Sequence, residues 1–286
     1  MTRQTIDPIV STDWLAARRA GGGLVIIDVR EPHLYAAGHI PGAISMPFSP
    51  VSDWATSTDE LMMEVPETAD LFKVMGDSGI AADSRVVVVT TVDKPPAPPY
   101  SLSDATRVAA TLIYAGVDNV AVLDGGHPKW EREGRETNGE IPEVVRADYH
   151  GTARSEIFVS TEYVKSRIGS AVLLDGRDTH EYFGVAVCPF AGKAGHIPSA
   201  RSLPAAWMWD ADGTYRPIEM LRQMAAGVAG ADRGHEIVTY CGVGGYASSL
   251  WFVLTQVLGY TNVKIYDGAA EAWAHENEMA LFSWTS

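Results

Sequence analysis

Two stretches of this 286-residue chain carry the same residues in the same order, and that constrains the fold more than any other feature. The first runs Asp28-Val-Arg30-Glu-Pro-His33-Leu-Tyr35 and continues Gly38-His39-Ile40-Pro41-Gly42-Ala43. The second runs Asp175-Gly-Arg177-Asp-Thr-His180-Glu-Tyr182 and, after ten extra residues, Gly195-His196-Ile197-Pro198-Ser199-Ala200. A further pair matches Gly116, Asn119, Val120, Asp124 and Gly125 with Gly259, Asn262, Val263, Asp267 and Gly268, each copy followed by a tryptophan, Trp130 or Trp273. Self-similarity at this length reads as a duplicated structural unit. The halves are taken as residues 1–145 and 146–286, joined by the polar stretch from Glu131 to Ser155, which carries Gly134, Gly139 and Pro142.

Within each half, short β-branched runs alternate with helical patterns. The runs at 24–28, 85–90 and 120–123, then 171–175, 236–240 and 263–266, read as strands buried on both faces. Helices are predicted over 68–75, 103–115, 161–168 and 246–258, the last with Leu250, Val253, Leu254 and Val257 at i, i+3, i+4 and i+7. The fold class is therefore α/β, two domains each with a parallel sheet flanked by helices.

Hydrophobic residues make up 46% of the chain, enough for real cores and too many for disorder. The formal charge of −14 repels nucleic acid and anionic membrane surfaces, so neither is expected as a partner, and an anionic substrate needs a local positive site. The first twenty residues lack the apolar core of a secretory signal, and no apolar run approaches a membrane span. With only two cysteines, Cys188 and Cys241, no disulfide framework is expected, and the reading is a cytoplasmic protein.

Cys241 follows directly on the apolar run 236–240 and precedes Gly242-Val243-Gly244-Gly245-Tyr246-Ala247, after which a helix begins. The carboxyl ends of parallel strands are where ligands bind. Three glycines in four positions allow a tight loop whose N–H groups converge above a helix N-terminus, a setting that stabilises a thiolate and favours a nucleophile at neutral pH. The competing reading is a buried structural cysteine at a strand end.

Asp-x-Arg, Gly-His-Ile-Pro-x-Ala and a strand, cysteine, six-residue loop and helix, all within a duplicated chain, resemble the tandem rhodanese-type sulfurtransferases that use thiosulfate or 3-mercaptopyruvate. The resemblance implies two rhodanese-like domains, the first without the nucleophile and the second catalytic. It also implies that Cys241 carries a persulfide between a small anionic donor and an acceptor such as a thiol, thioredoxin or cyanide. In the first half, aligning 88–91 with 238–241 sets Thr91 opposite Cys241, and the four prolines of 92–100 remove donors that an anion-holding loop needs.

Arg177 is the candidate cation for the donor, since it follows a strand end in the half with the cysteine and a guanidinium grips a carboxylate in bidentate fashion. The resemblance to mercaptopyruvate enzymes gives it the same role. Arg30 repeats it where no cysteine exists, so an Asp–Arg pair that shapes the fold is an equal reading, and His196, matched by His39, is read as structural. Cys188 lies in the ten extra residues, either as a resolving thiol or, more commonly for such a position, as a half-buried loop thiol. No cofactor is implied, and His39, His127, His150 and His196 show no metal-ligand spacing.

Thiosulfate-using relatives place Arg and Lys after the cysteine where this chain has Gly242 and Val243, which points to 3-mercaptopyruvate or a related donor. Mercaptopyruvate enzymes, however, carry Ser at the place of Val243. A phosphatase of the related fold needs Arg where Ala247 stands. The alternative outside catalysis is a rhodanese-like binding or sulfur-relay module.

Overall fold

The computed structural model describes residues 6–94 and 96–282. Among the described residues ten strands are formed: β1 (Ile9–Val10), β2 (Leu24–Asp28), β3 (Ala43–Ser45), β4 (Arg85–Val89) and β5 (Asn119–Leu123), then β6 (Phe158–Val159), β7 (Val172–Asp175), β8 (Arg201–Ser202), β9 (Ile237–Tyr240) and β10 (Val263–Tyr266). The first five make one sheet in the order β1-β5-β4-β2-β3 and the last five another in the order β6-β10-β9-β7-β8. All pairs are parallel. Renumbering by five maps one order onto the other, so the sequence repeat is a repeat of topology.

The central strands are continuous apolar runs, and β4 and β5 are buried almost throughout. A parallel sheet needs helices on both faces, and only such runs tolerate that burial. The predicted runs coincide with β2, β4, β5, β7, β9 and β10 to within a residue at either end. The edge strands β1, β3, β6 and β8, of two or three residues, are too short to give a periodic signal. The helices that follow β1 and β6 open alike: Ser11 and Ser160 are N-caps whose hydroxyls accept from the amides of Trp14 and Tyr163.

The helix after β9 departs from its prediction. It is α-helical over Gly245–Phe252 and widens to a π turn over Val253–Val257. The Leu258 amide reaches back to the Val253 carbonyl, and the Thr255 hydroxyl donates to the Trp251 carbonyl at 2.7 Å. Trp251 and Phe252 are buried together with Leu250, Val253 and Leu254, so this helix is covered all round rather than on one stripe.

Two compact units result. One gathers the chain up to Thr56, Pro66–Arg154 and Trp209–Tyr215, and the other Ser57–Val65, Ser155–Met208 and the chain from Arg216 onward. Relative to the halves read from the repeat, two short segments are exchanged. In the second unit the amide of Met62 donates to the Glu271 carboxylate at 2.8 Å and that of Val65 to Asp267 at 2.7 Å. In the first, the Tyr215 amide donates to Asp124 at 2.9 Å. Among the described residues, no helix is long and apolar enough to cross a membrane.

Candidate active site

The repeated motif residues build one scaffold twice. At the end of β2, Arg30 Nε and Nη2 reach the two oxygens of Asp28 at 2.9 and 2.7 Å, and Nη2 also donates to the Gly38 carbonyl. At the end of β7, Arg177 does the same with Asp175, at 3.0 and 2.5 Å, and with the Gly195 carbonyl. The Tyr35 hydroxyl donates to the Ala43 carbonyl, and the Tyr182 hydroxyl to that of Ala200. His39 stacks on Tyr35 with centroids 3.8 Å apart, and His196 on Tyr182 at 4.1 Å. Trp130 and Trp273 each donate an indole N–H to a nearby backbone carbonyl, of Glu136 and Glu278. Recurrence in both halves follows from these jobs, which tie each βα connection to the next strand.

Arg177 therefore has the fold-shaping role first. It is 1% exposed, and although burial works against its charge, the Asp175 carboxylate holds it above its ordinary pKa. Of the two readings of Arg177, donor cation and fold-shaping pair, the second accounts for Nε and Nη2, which are committed to Asp175. Nη1 is buried without a hydrogen-bond partner.

Cys241 lies at the carboxyl end of β9. The register pairs Asp175 with Tyr240, and the Gly176 amide donates to the Tyr240 carbonyl, which brings the ends of β7 and β9 side by side. The loop has three residues, Gly242 to Gly244, before the helix starts at Gly245; the rest of the six-residue stretch is the first helical turn. First-turn amides have no intrahelical partner and are free to hold an anion. The Gly244 amide donates to Cys241 Sγ at 3.1 Å, and the amides of Ala247, Val243 and Tyr246 also act on the sulfur. Gly244 has φ 94°, a left-handed conformation that turns its amide inward. Behind the loop, the amides of Ala270 and Glu271 brace the carbonyls of Cys241 and Gly242.

Cys241 is 2% exposed, and burial pushes its thiol above the ordinary value despite the amides that pull it down. Removing the sulfur from water costs its anion more than partial dipoles return. The bowl is present, and burial opposes the charge that its amides favour. Val243 and Tyr246 are the half-buried side chains of the loop, whereas Gly242, Gly244, Gly245 and Ala247 are buried.

Tyr240 escaped sequence reasoning. Its hydroxyl donates to Asp175 Oδ2 at 2.8 Å and accepts from the Ile197 amide at 3.1 Å, joining the strand before the cysteine to the Asp–Arg pair. A tyrosine within an apolar run gives no signal of such a role.

The first unit carries the same strand ends without a cysteine. Asp28 pairs with Val89 as Asp175 pairs with Tyr240, and His127 donates to the Thr90 carbonyl as Ala270 donates to that of Cys241. Thr90, not Thr91, is thus the counterpart of Cys241; the alignment by residue likeness was one residue out of register. Residues 91–101 separate Thr90 from the helix Leu102–Tyr114, too long a connection to close a bowl. Pro95 lies outside the described residues.

Cys188 is 2% exposed, not half-buried, and packs in the core with Tyr240, Tyr266 and Trp273. Among the described residues, no group of three or more His, Cys, Asp or Glu gathers so as to hold a metal ion.

A sequence model of the rhodanese-like domain matches residues 11–133 and again 160–276. The chain belongs to the rhodanese family. Among its rhodanese relatives, a putative thiosulfate sulfurtransferase of Saccharopolyspora erythraea is 32% identical over 94% of this chain and 93% of that protein. The sulfur carrier protein TtuD of Thermus thermophilus is 30% identical over 93% of each. Among solved structures, SseA of Escherichia coli, described with the fold and mechanism of 3-mercaptopyruvate sulfurtransferases, superposes with a TM-score of 0.77 at 26% identity, covering 92% of this chain and 99% of that one.

Proposed function

We propose that this protein moves a sulfane sulfur from a small anionic donor to a nucleophilic acceptor through a persulfide on Cys241. The relatives' sulfurtransferase names support the class, a rhodanese-type sulfurtransferase. The single observation that carries the mechanism is the set of four amides, from Val243, Gly244, Tyr246 and Ala247, turned on one sulfur. In the forward step the Cys241 thiolate attacks the transferable sulfur of the donor, the thiol sulfur of 3-mercaptopyruvate or the outer sulfur of thiosulfate. The remainder leaves with the bonding pair, as an enolate that takes up the S–H proton to give pyruvate or as sulfite, and the anionic persulfide rests on the amides. An acceptor then attacks the outer sulfur and Cys241 leaves as a thiolate held by those donors. The second unit is the catalytic one, and the first, with Thr90 in place of the cysteine, carries no sulfur.

The donor is 3-mercaptopyruvate or a related carboxylate. The loop carries no cationic side chain, which disfavours the thiosulfate dianion, while Arg177 Nη1, buried and unpartnered at the neighbouring strand end, suits one carboxylate oxygen. The relatives named for thiosulfate favour a second reading, with thiosulfate as the donor. The acceptor is a thiol, a thioredoxin-type dithiol or cyanide. Intact mass after treatment with each donor tests the proposal. One added sulfur on the wild type and none on Cys241→Ser is expected, with faster loading from 3-mercaptopyruvate. No added sulfur from either donor would favour a non-catalytic binding module, and faster loading from thiosulfate would reverse the donor order.

A further inference from the structure

The second cysteine lies against the catalytic loop. A Cβ built on Gly242 would stand 3.3 Å from Cys188 Sγ and 3.5 Å from the Phe190 ring, so the bare glycine is what lets the Cys188 sulfur pack on the residue next to Cys241. Nothing in the mechanism above uses Cys188. It packs in the core, but polar and charged groups reach it as well. Burial raises its pKa, and Glu181 adds to that, but the amides of Ala191 and Phe190 and the Arg177 guanidinium all favour charge on it. Arg177 is itself 1% exposed, with Nη1 lacking a partner. A sulfur beside the persulfide-bearing loop, near a buried cation and with two amides turned on it, resembles a smaller version of the Cys241 bowl. Its chain neighbours Val187 and Phe190 are 51% and 47% exposed, so a sulfur on Cys188 is carried by a segment that reaches the surface.

We propose that Cys188 is a second sulfur carrier, taking the outer sulfur of the Cys241 persulfide before it passes to the acceptor. This rests on the persulfide reading for Cys241. In the step, Cys188 Sγ attacks the outer sulfur, a new S–S bond forms on Cys188, and the bond from Cys241 Sγ to that sulfur breaks. The bonding pair stays on Cys241, which takes up the proton that Cys188 gives up. A thiol and a persulfide anion become a persulfide anion and a thiol, with no oxidant or reductant consumed. Attack on the outer sulfur is favoured over attack on Cys241 Sγ because the departing Cys241 anion is held by four amides.

The experiment loads the full-length protein with one equivalent of 3-mercaptopyruvate, or of thiosulfate in a parallel arm, blocks it with iodoacetamide and maps the extra sulfur by peptide mass. The wild type is expected to carry it on both the Cys188 and Cys241 peptides. Cys241→Ser carries it on neither, and Cys188→Ala on Cys241 alone, with transfer to a thioredoxin-type dithiol slowed several-fold. Sulfur confined to Cys241 in the wild type overturns the relay and leaves the Cys241 mechanism standing. A Cys188–Cys241 disulfide overturns it in favour of attack on the inner sulfur. Equal loading of Cys188 in Cys241→Ser overturns it by showing that Cys188 loads itself. Failure of the wild type to load Cys241 at all overturns both proposals. The wild-type map needs no variant, so it decides the matter even if Cys188→Ala does not fold.

Discussion

Thr90 holds in the first sheet the place that Cys241 holds in the second: each follows a strand paired to the Asp of an Asp-x-Arg element, and each carbonyl accepts from the equivalent residue, His127 or Ala270. What differs is the connection that follows. The Thr90 hydroxyl donates to the Ser101 carbonyl at 2.9 Å, and eleven residues, 91–101, rather than three lie before the next helix. Thr90→Cys in a Cys241→Ser background is therefore expected to gain no sulfur from either donor by intact mass. A persulfide at position 90 would mean that the strand end alone suffices.

Cys241→Ser removes the sulfur carrier. Steady-state transfer falls to the uncatalysed background, a loss on the order of 10³-fold or more, because a hydroxyl cannot hold a sulfane sulfur and no second group performs that step. Residual activity within tenfold of wild type in a sulfur-release assay would place the chemistry elsewhere.

The pH dependence follows from the burial of Cys241. With its pKa above the ordinary value, less thiolate exists at neutral pH than for a free cysteine, so alkylation and single-turnover loading are expected to climb with pH through and beyond about 8.5. A plateau already reached near neutrality would contradict this. The stability consequence has the same origin. The folded state holds the proton more tightly than the unfolded chain, so this contribution is complete below the unfolded thiol pKa and is lost as pH rises through the folded one.

Arg30→Ala leaves the Asp28 carboxylate buried without its cation, as Arg177→Ala leaves Asp175, and each is expected to cost about 3–5 kcal/mol in urea unfolding. The two variants separate in catalysis. Arg177→Lys keeps a charge but loses the fork, and is expected to raise KM for 3-mercaptopyruvate. Arg30→Lys leaves KM unchanged. Equal KM in both would remove Arg177 from donor binding.

Gly244→Ala puts a side chain at φ 94° and is expected to cost about 1–2 kcal/mol, measured by thermal unfolding. Because the Gly244 amide donates to Cys241 Sγ, the loaded form should also lose its sulfur to water and small thiols faster. An unchanged persulfide lifetime would show that the other three amides are sufficient.

Much of this was legible in the chain. The duplication announced two equivalent sheets, continuous apolar runs located the central strands, and a cysteine between such a run and three glycines marked the site, because these are local signals carried by periodicity and backbone freedom. Long-range register, burial and reach were not legible. Sequence likeness aligned Thr91 with Cys241, whereas strand pairing selected Thr90. Arg30 and Arg177 were equivalent on paper, and only packing left Nη1 of Arg177 buried without a partner. The glycine loop suggested a ready thiolate, yet the solvent excluded by the fold raises the Cys241 pKa. Cys188, dozens of residues away in an insertion, meets Gly242 only once the chain has folded. Periodicity and turn chemistry act between neighbours in sequence; desolvation and the approach of the Cys188 sulfur to Gly242 are set by atoms that tertiary packing alone brings together.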